Sequence, residues 1–162
     1  MKVGDAGRPE RYFPLFSSVG ILAGVGPKAE VSFQNLGITK VRDLLFFLPI
    51  SGIKREKNVD LGSILLPKVV TIKILVKSYK QTKRSAPIRV LVSSSKFELE
   101  LIFFHARMEW IRTILPKNTD VVVSGKLEGF GNGLQMIHPD YVVPESDIDL
   151  IPDFEPVYPL SK

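Results

Sequence analysis

From residue 69 onward, apolar and polar positions alternate along five stretches, 69–79, 87–93, 97–104, 120–130 and 134–143. A two-residue period puts successive side chains on opposite faces, so each stretch predicts a strand with one buried face. The third stretch changes period. Phe97, Leu99 and Leu101 alternate with Glu98, Glu100 and Ile102, after which Met108, Ile111 and Leu115 recur at helical spacing up to Pro116. That switch predicts a strand feeding a short helix over 107–115. Phe103 and Phe104 stand at the junction and point opposite ways, so one core cannot take both. Phe103 and Trp110 are expected in the core. Phe104 is open between a core position and a ring stacked on an outside partner such as a nucleobase, with Met108 or Trp110 as a second wall.

The first part of the chain carries a helical pattern. Residues 12–22 cluster apolar side chains before the turn Gly24-Val25-Gly26, and Pro27 suits the first turn of a helix running to Leu36, with Gly37 as its stop. Thr39 is the expected N-cap of a third helix, 40–48. Residues 50–68 read as a connector in which Lys54, Arg55 and Lys57 form a solvated basic loop. Three strands, a helix and two further strands are the order of an OB-type barrel, with the helix between strands three and four. The fold class expected is therefore mainly β with a helical N-terminal extension: a helical unit over 1–60, a five-stranded OB barrel over 61–146 and a linker-like acidic, proline-punctuated tail over 147–162. The polar loop 80–85 and the turn Gly131-Asn132-Gly133 would flank the ligand face.

Charge sharpens this picture. Residues 1–65 carry a net +3, 66–130 a net +7 and 131–162 a net −5, so the positive excess lies in the barrel and a polyanion is the expected partner. Lys77, Lys80, Lys83 and Arg84 stand in or beside the first barrel loop, where phosphates would lie. Cysteine is absent, and His105 and His138 are the two histidines, so neither a thiolate metal site nor a dense histidine site is available. A structural hydrogen bond is the expected role of His138. Gly24, Gly26 and Lys28 form a helix-hairpin-helix-like turn able to approach a phosphate, or else a plain interhelical turn. The turn is not G-x-x-x-x-G-K-[ST], because Pro27 precedes Lys28 and Ala29 replaces the hydroxyl residue. No apolar run is long enough to cross a bilayer.

Several short motifs, in order, resemble the wedge region of the RecG family of bacterial ATP-dependent, branch-migrating DNA helicases. They are Leu22-Ala23-Gly24-Val25-Gly26-Pro27-Lys28, Leu36-Gly37-Ile38, Val41-Arg42-Asp43-Leu44-Leu45 and Leu48-Pro49. In the barrel they are Phe103-Phe104, Gly125-Lys126 and Gln135-Met136-Ile137-His138-Pro139, followed by Pro156-Val157-Tyr158-Pro159-Leu160. The resemblance implies a domain that grips replication forks or Holliday junctions in recombination and repair and splits the strands. Phe104 matches the family's stacking residue, while Met108 stands where a second aromatic can occur. The implied DNA contacts are Phe104, Arg107, Met108, Lys77, Lys80, Lys83, Arg84 and Lys126. Of the Tyr and Asp-Arg that often follow the Leu-Pro in the family, Ile50-Ser51-Gly52-Ile53-Lys54-Arg55 keeps the arginine.

The resemblance further implies ATP and magnesium in a full-length helicase but no cofactor in this chain, which lacks a Walker motif and is expected not to be an enzyme alone. Branched DNA and C-terminal motor domains of the same polypeptide are the expected partners. A monomer in the bacterial cytoplasm, at the nucleoid and away from membranes, is the expected setting. The alternative is a stand-alone OB adaptor for single-stranded nucleic acid or protein, with the acidic end as a docking tail.

Overall fold

A computed structural model describes residues 9–57 and 65–161. The chain divides into two units, one comprising Met1–Gly52 and Pro156–Lys162, the other Ile53–Glu155. The expected boundary near residue 60 lies outside the described residues.

In the first unit, 3-10 turns Glu10–Phe16 and Val19–Ile21 precede α1 (Pro27–Asn35) and α2 (Val41–Leu45). The expected helix over 12–22 is replaced by these tighter turns; Pro14, inside the first, has no N–H to donate. α1 begins at Pro27 as expected and ends before Gly37, whose φ of 78° suits a residue without Cβ. The third helix is shorter than expected, and its N-cap is Lys40 rather than Thr39. Asp43 explains the shift. Its Oδ2 accepts the backbone N–H groups of Lys40 (2.8 Å) and Thr39 (3.0 Å) and the Thr39 hydroxyl (3.2 Å). These N–H donors, Lys40 first, hold the Asp43 carboxyl below its ordinary carboxylate pKa. Val19 and Ile38 are buried, and Val19 N–H to Thr39 O and Val41 N–H to Ser17 O, both 3.1 Å, tie the two segments together.

β1 (Ser51–Lys54) pairs with β9 (Phe154–Val157) in a two-stranded sheet, so the segment read as a linker carries a strand, after a 3-10 turn at Glu145–Leu150. The connector likewise holds β1 and β2 (Glu56–Lys57). The second unit then builds β3 (Lys68–Lys80), β4 (Ile88–Ser93), β5 (Glu98–Phe103), α3 (Met108–Ile114), β6 (Asp120–Phe130), β7 (Gly133–Ile137) and β8 (Tyr141–Val143). Strand order β3-β4-β5-β7-β6 closes because β3 also pairs with β6, which makes a five-stranded barrel with β2 and β8 added beside it. Closure depends on the length of β3: Lys68 to Leu75 pair with β6, and from Leu75 onward, across an irregularity between Val76 and Ser78, the strand pairs with β4. The expected fifth strand is two strands, parted where His138 takes a φ of 46° before Pro139. Gly125 of β6 lies so close to this break that a Cβ there would stand 2.9 Å from Met136 Sδ and 3.1 Å from Pro139 Cα.

The core follows from alternation. Val70, Ile72, Ile74 and Val76 of β3, Val90 and Val92 of β4, and Leu99, Leu101 and Phe103 of β5 face inward. Ile111 and Leu115 join them from α3 and its C-cap. Tyr79 Oη donates to Leu115 O at 2.6 Å and holds that helix end. Trp110 departs from expectation: it is 52% exposed.

Arg55 departs further. It is 4% exposed, not a loop cation. Its guanidinium donates to Asp140 (2.7 Å), Glu155 (2.6 Å) and Ser124 Oγ (3.1 Å) and lies 4.9 Å from the centre of the Tyr141 ring. Desolvation opposes the charge, and the two carboxylates more than offset it, so the Arg55 pKa is raised. This group joins β6, the β7–β8 turn, β8 and β9 around one charge.

Two outcomes are expected. Arg55→Ala leaves two carboxylates facing a cavity and destabilises the second unit by about 3 kcal/mol in denaturant unfolding, the low end for breaking a buried pair because both acids reach water. Asp43, with a folded pKa below its unfolded value, stabilises the first unit above about pH 4, and this contribution is lost as pH falls through the folded pKa, below 3.8. Amide exchange at Thr39 and Lys40 should therefore gain an acid-dependent step below that pH, and Asp43→Asn should abolish the step.

Candidate nucleic-acid interface

The parity of β5 sets the site. Phe103 is 3% exposed inside the barrel, and Phe104, one residue on, is 42% exposed outside it. Between β5 and α3 the chain turns through His105, at a φ of 56°. His138 anchors the turn from the other side. Its backbone N–H donates to Ile102 O (2.9 Å), and its Nε2 accepts the Phe104 N–H (3.1 Å), as sequence reasoning expected in kind. The two rings lie 5.6 Å apart and tilted by 35°. Phe103 meets both Trp110 (6.2 Å) and His138 (6.0 Å) in T-shaped, edge-to-face geometry.

These side chains line an open recess of about 540 Å³, with Arg107 among them. Arg107 is the exposed N-cap of α3. Met108 is not part of the lining; it packs against the core, so the second aromatic wall is Trp110. Trp110 sits one position off the stripe Met108, Ile111, Leu115, and that offset was the signal for its exposure.

Lys80, Lys83 and Arg84 gather at the same end of the sheet, whereas Lys77 lies level with Leu91 and Val92 of β4. Lys80 is paired in register with Arg89, and Arg89 with Ile102, so the β3–β4 loop and the Phe104 corner share one end of β4 and β5. Lys77 and Lys80 are exposed on β3, and Lys83 and Arg84 are exposed at the loop tip. Gln81 Nε2 holds the loop by donating to Ala86 O (2.9 Å) and Arg84 O (3.3 Å). Lys126 stands elsewhere, on β6, with its Nζ 3.4 Å from Glu128. The Gly131–Gly133 turn lies at the opposite end of β5, since β7 runs parallel to it.

Between loop and turn, the outer face carries Glu98 and Glu100 on β5 and Glu128 on β6. Glu100 is in register with Gln135, and Gln135 with Glu128, while Glu98 follows on β5. Arg89 neutralises Glu100 at 2.6 Å, and Gln135 donates to Glu128 at 3.0 Å. Arg89 was missed in the sequence, although its place between inward Ile88 and Val90 marks it as outward.

In the first unit Gly24 adopts a φ of 86°, Gly26 caps α1 and Lys28 is exposed in its first turn. Glu30 shares that turn and accepts the Ser18 hydroxyl at 2.6 Å. Among the described residues no group of three or more acidic, histidine or cysteine side chains could hold a metal.

Comparison with known proteins places this geometry in context. The family model of the RecG wedge domain matches residues 19–162. ATP-dependent DNA helicase RecG of Acidithiobacillus ferridurans is 26% identical over 156 residues, covering 91% of this chain and 22% of that protein. ATP-dependent DNA helicase RecG of Aquifex aeolicus is 25% identical over 138 residues, covering 84% of this chain and 17% of its own length. The chain thus spans about a fifth of the length of the curated relatives it matches. A solved structure of RecG bound to a three-way DNA junction superposes with a TM-score of 0.64, covering 91% of this chain and 20% of that one at 22% identity, which shows a shared fold.

The contrast between the two phenylalanines is measurable. Phe103→Ala should open a core cavity and destabilise the barrel by roughly 3–5 kcal/mol. Phe104→Ala should leave thermal melting almost unchanged. Equal melting losses in the two variants would mean that both rings are core.

Proposed function

Because this chain belongs to the RecG wedge domain family, we propose that its barrel unit grips branched DNA, a replication fork or Holliday junction, and parts the strands at the branch point. The observation that carries this reading is the half-exposed Phe104 ring, held beside buried Phe103 at the end of the sheet where the cationic loop stands. When a duplex parts, its terminal base pair loses a stacking neighbour. The Phe104 ring replaces that neighbour, an exchange worth about 1–3 kcal/mol.

Lys77, Lys80, Lys83 and Arg84 hold phosphates on this reading, and Arg107 does so at the recess. Lysines supply charge without reading bases, so recognition is of shape rather than sequence. Lys126, paired with Glu128, makes the weaker contribution.

The full-length activity belongs to the same proposal. The relatives are named ATP-dependent DNA helicases, and downstream motor domains of one polypeptide would pull duplex against this wedge in DNA repair and recombination in the bacterial cytoplasm. On this reading the unit Ile53–Glu155 is the wedge. ATP and magnesium would be held by the motors; the Gly24–Lys28 turn does not fit them, since Pro27 and Ala29 replace the phosphate-cradling and hydroxyl positions. This chain by itself should release no phosphate from ATP, with or without fork DNA.

Fork binding tests the reading. Phe104→Ala should weaken fork binding about 5- to 150-fold while leaving binding to uninterrupted duplex nearly unchanged. Replacing Lys80 and Lys83 by alanine together should weaken all sequences alike and flatten the log–log salt slope by about 0.7–0.9 per lost phosphate contact. A Phe104→Ala variant that loses fork and duplex equally, or an unchanged salt slope in the double variant, contradicts it.

A further inference from the structure

We propose that the acidic segment over 145–153 is a built-in competitor for DNA: its carboxylates stand in for phosphates on a lysine groove beside β3, and an arm of bound DNA displaces them. The proposal rests on the junction-binding reading above and adds to it a second phosphate site that carries its own restraint. Lys57, Lys73 and Lys96 line an open groove of about 410 Å³, together with Ser94, Ser95 and Glu145. Three elements bring the lysines there. Lys73 faces outward between the inward Ile72 and Ile74 of β3. Lys57 of β2 is in register with Thr71, two positions back along β3, and Lys96 lies in the turn between β4 and β5.

The segment against this groove carries five acids and no base over 145–155. Glu145 Oε2 stands 2.6 Å from Lys73 Nζ, and Asp153 Oδ1 stands 2.6 Å from Lys57 Nζ. Asp120 adds a longer contact to Lys73, at 3.7 Å. Lys96 is exposed and has no carboxylate partner among the described residues. Both partners of each 2.6 Å pair are open to water, where an ion pair contributes little to stability. A phosphate therefore exchanges with either carboxylate at low cost, and DNA offers a row of phosphates whose neutralisation releases counterions. The exchange needs no unfolding. Ile151 is buried and Glu155 is held by Arg55 at 2.6 Å, so the segment keeps its seat while the Glu145 and Asp153 side chains swing away. Lys73, Lys77 and Lys80 are exposed in turn along β3, a cationic track from the groove to the loop beside Phe104. From Lys73 to Lys80 the strand rises about 23 Å, the length of about seven base pairs. The branch stays at the corner, and only an arm of the DNA follows β3.

Charge-neutral variants test this by anisotropy on a fork whose duplex arms exceed that span, and on the matching uninterrupted duplex. Glu145→Gln with Asp153→Asn should tighten binding to both about 2- to 30-fold, what two exposed ion pairs can withhold. Asp147→Asn with Asp149→Asn removes the same charge from the same segment, at carboxylates paired with neither lysine, and should change binding far less. With Lys57→Ala and Lys73→Ala in place, neutralising Glu145 and Asp153 should bring no further tightening. Equal tightening by the two acid pairs, or tightening that survives the loss of both lysines, overturns the competitor. So does unchanged binding in the Glu145 and Asp153 variant, and a Phe104-dependent preference for forks then leaves the junction reading standing. If neither the chain nor its acid-neutral variant binds DNA, both readings fall.

Discussion

The structure depends on the alternation of side chains along a strand inside a closed barrel. In β5, Leu99, Leu101 and Phe103 must enter the barrel because they share one parity. Phe104 then has no inward position to take, since the ring of strands is closed by β3 pairing with both β4 and β6. The barrel end behind it is filled by Ile111 and Leu115 and held by the Tyr79 hydroxyl. A phenylalanine ring is kept partly in water because its neighbour occupies the core. His138 adds precision by bonding both Ile102 O and the Phe104 N–H, so the ring stands on a corner fixed from two strands.

Electrostatics divides the barrel surface in a matching way. The cations of the β3–β4 loop share an end of the sheet with Phe104, whereas Glu98, Glu100 and Glu128 occupy the outer face beyond. Arg55 does separate work. Buried with Asp140 and Glu155, it fastens β8 and β9 to the barrel, so the outgoing chain is tied to the unit that carries the site.

Much of this was legible in the residues. The two-residue period marked the strands, the change to helical spacing marked the corner, and the Phe103-Phe104 pair marked a place where one core could not take both rings. Trp110 was legible too, because it lies off the Met108, Ile111, Leu115 stripe, but the general tendency of tryptophan to be buried argued the other way. Arg55 was not. Its burial comes from Asp140 and Glu155, 85 and 100 residues away in sequence, and local pattern carries no information about partners so distant. The same holds for His138, whose bond to Phe104 spans 34 residues. The short elements of the first unit escaped for a local reason, since Asp43 drew the cap of α2 one residue beyond Thr39.

The central claim is that branched DNA meets this chain at the Phe104 corner and not across the outer face of the sheet. Photocrosslinking tests it most directly, using a fork with 5-iododeoxyuridine as the terminal base at the branch, followed by mass mapping of the attached peptide. The account predicts attachment within residues 103–110, centred on Phe104, and its loss in Phe104→Ala. Attachment on β4 or the first half of β5, around Leu91 and Glu98, would contradict it.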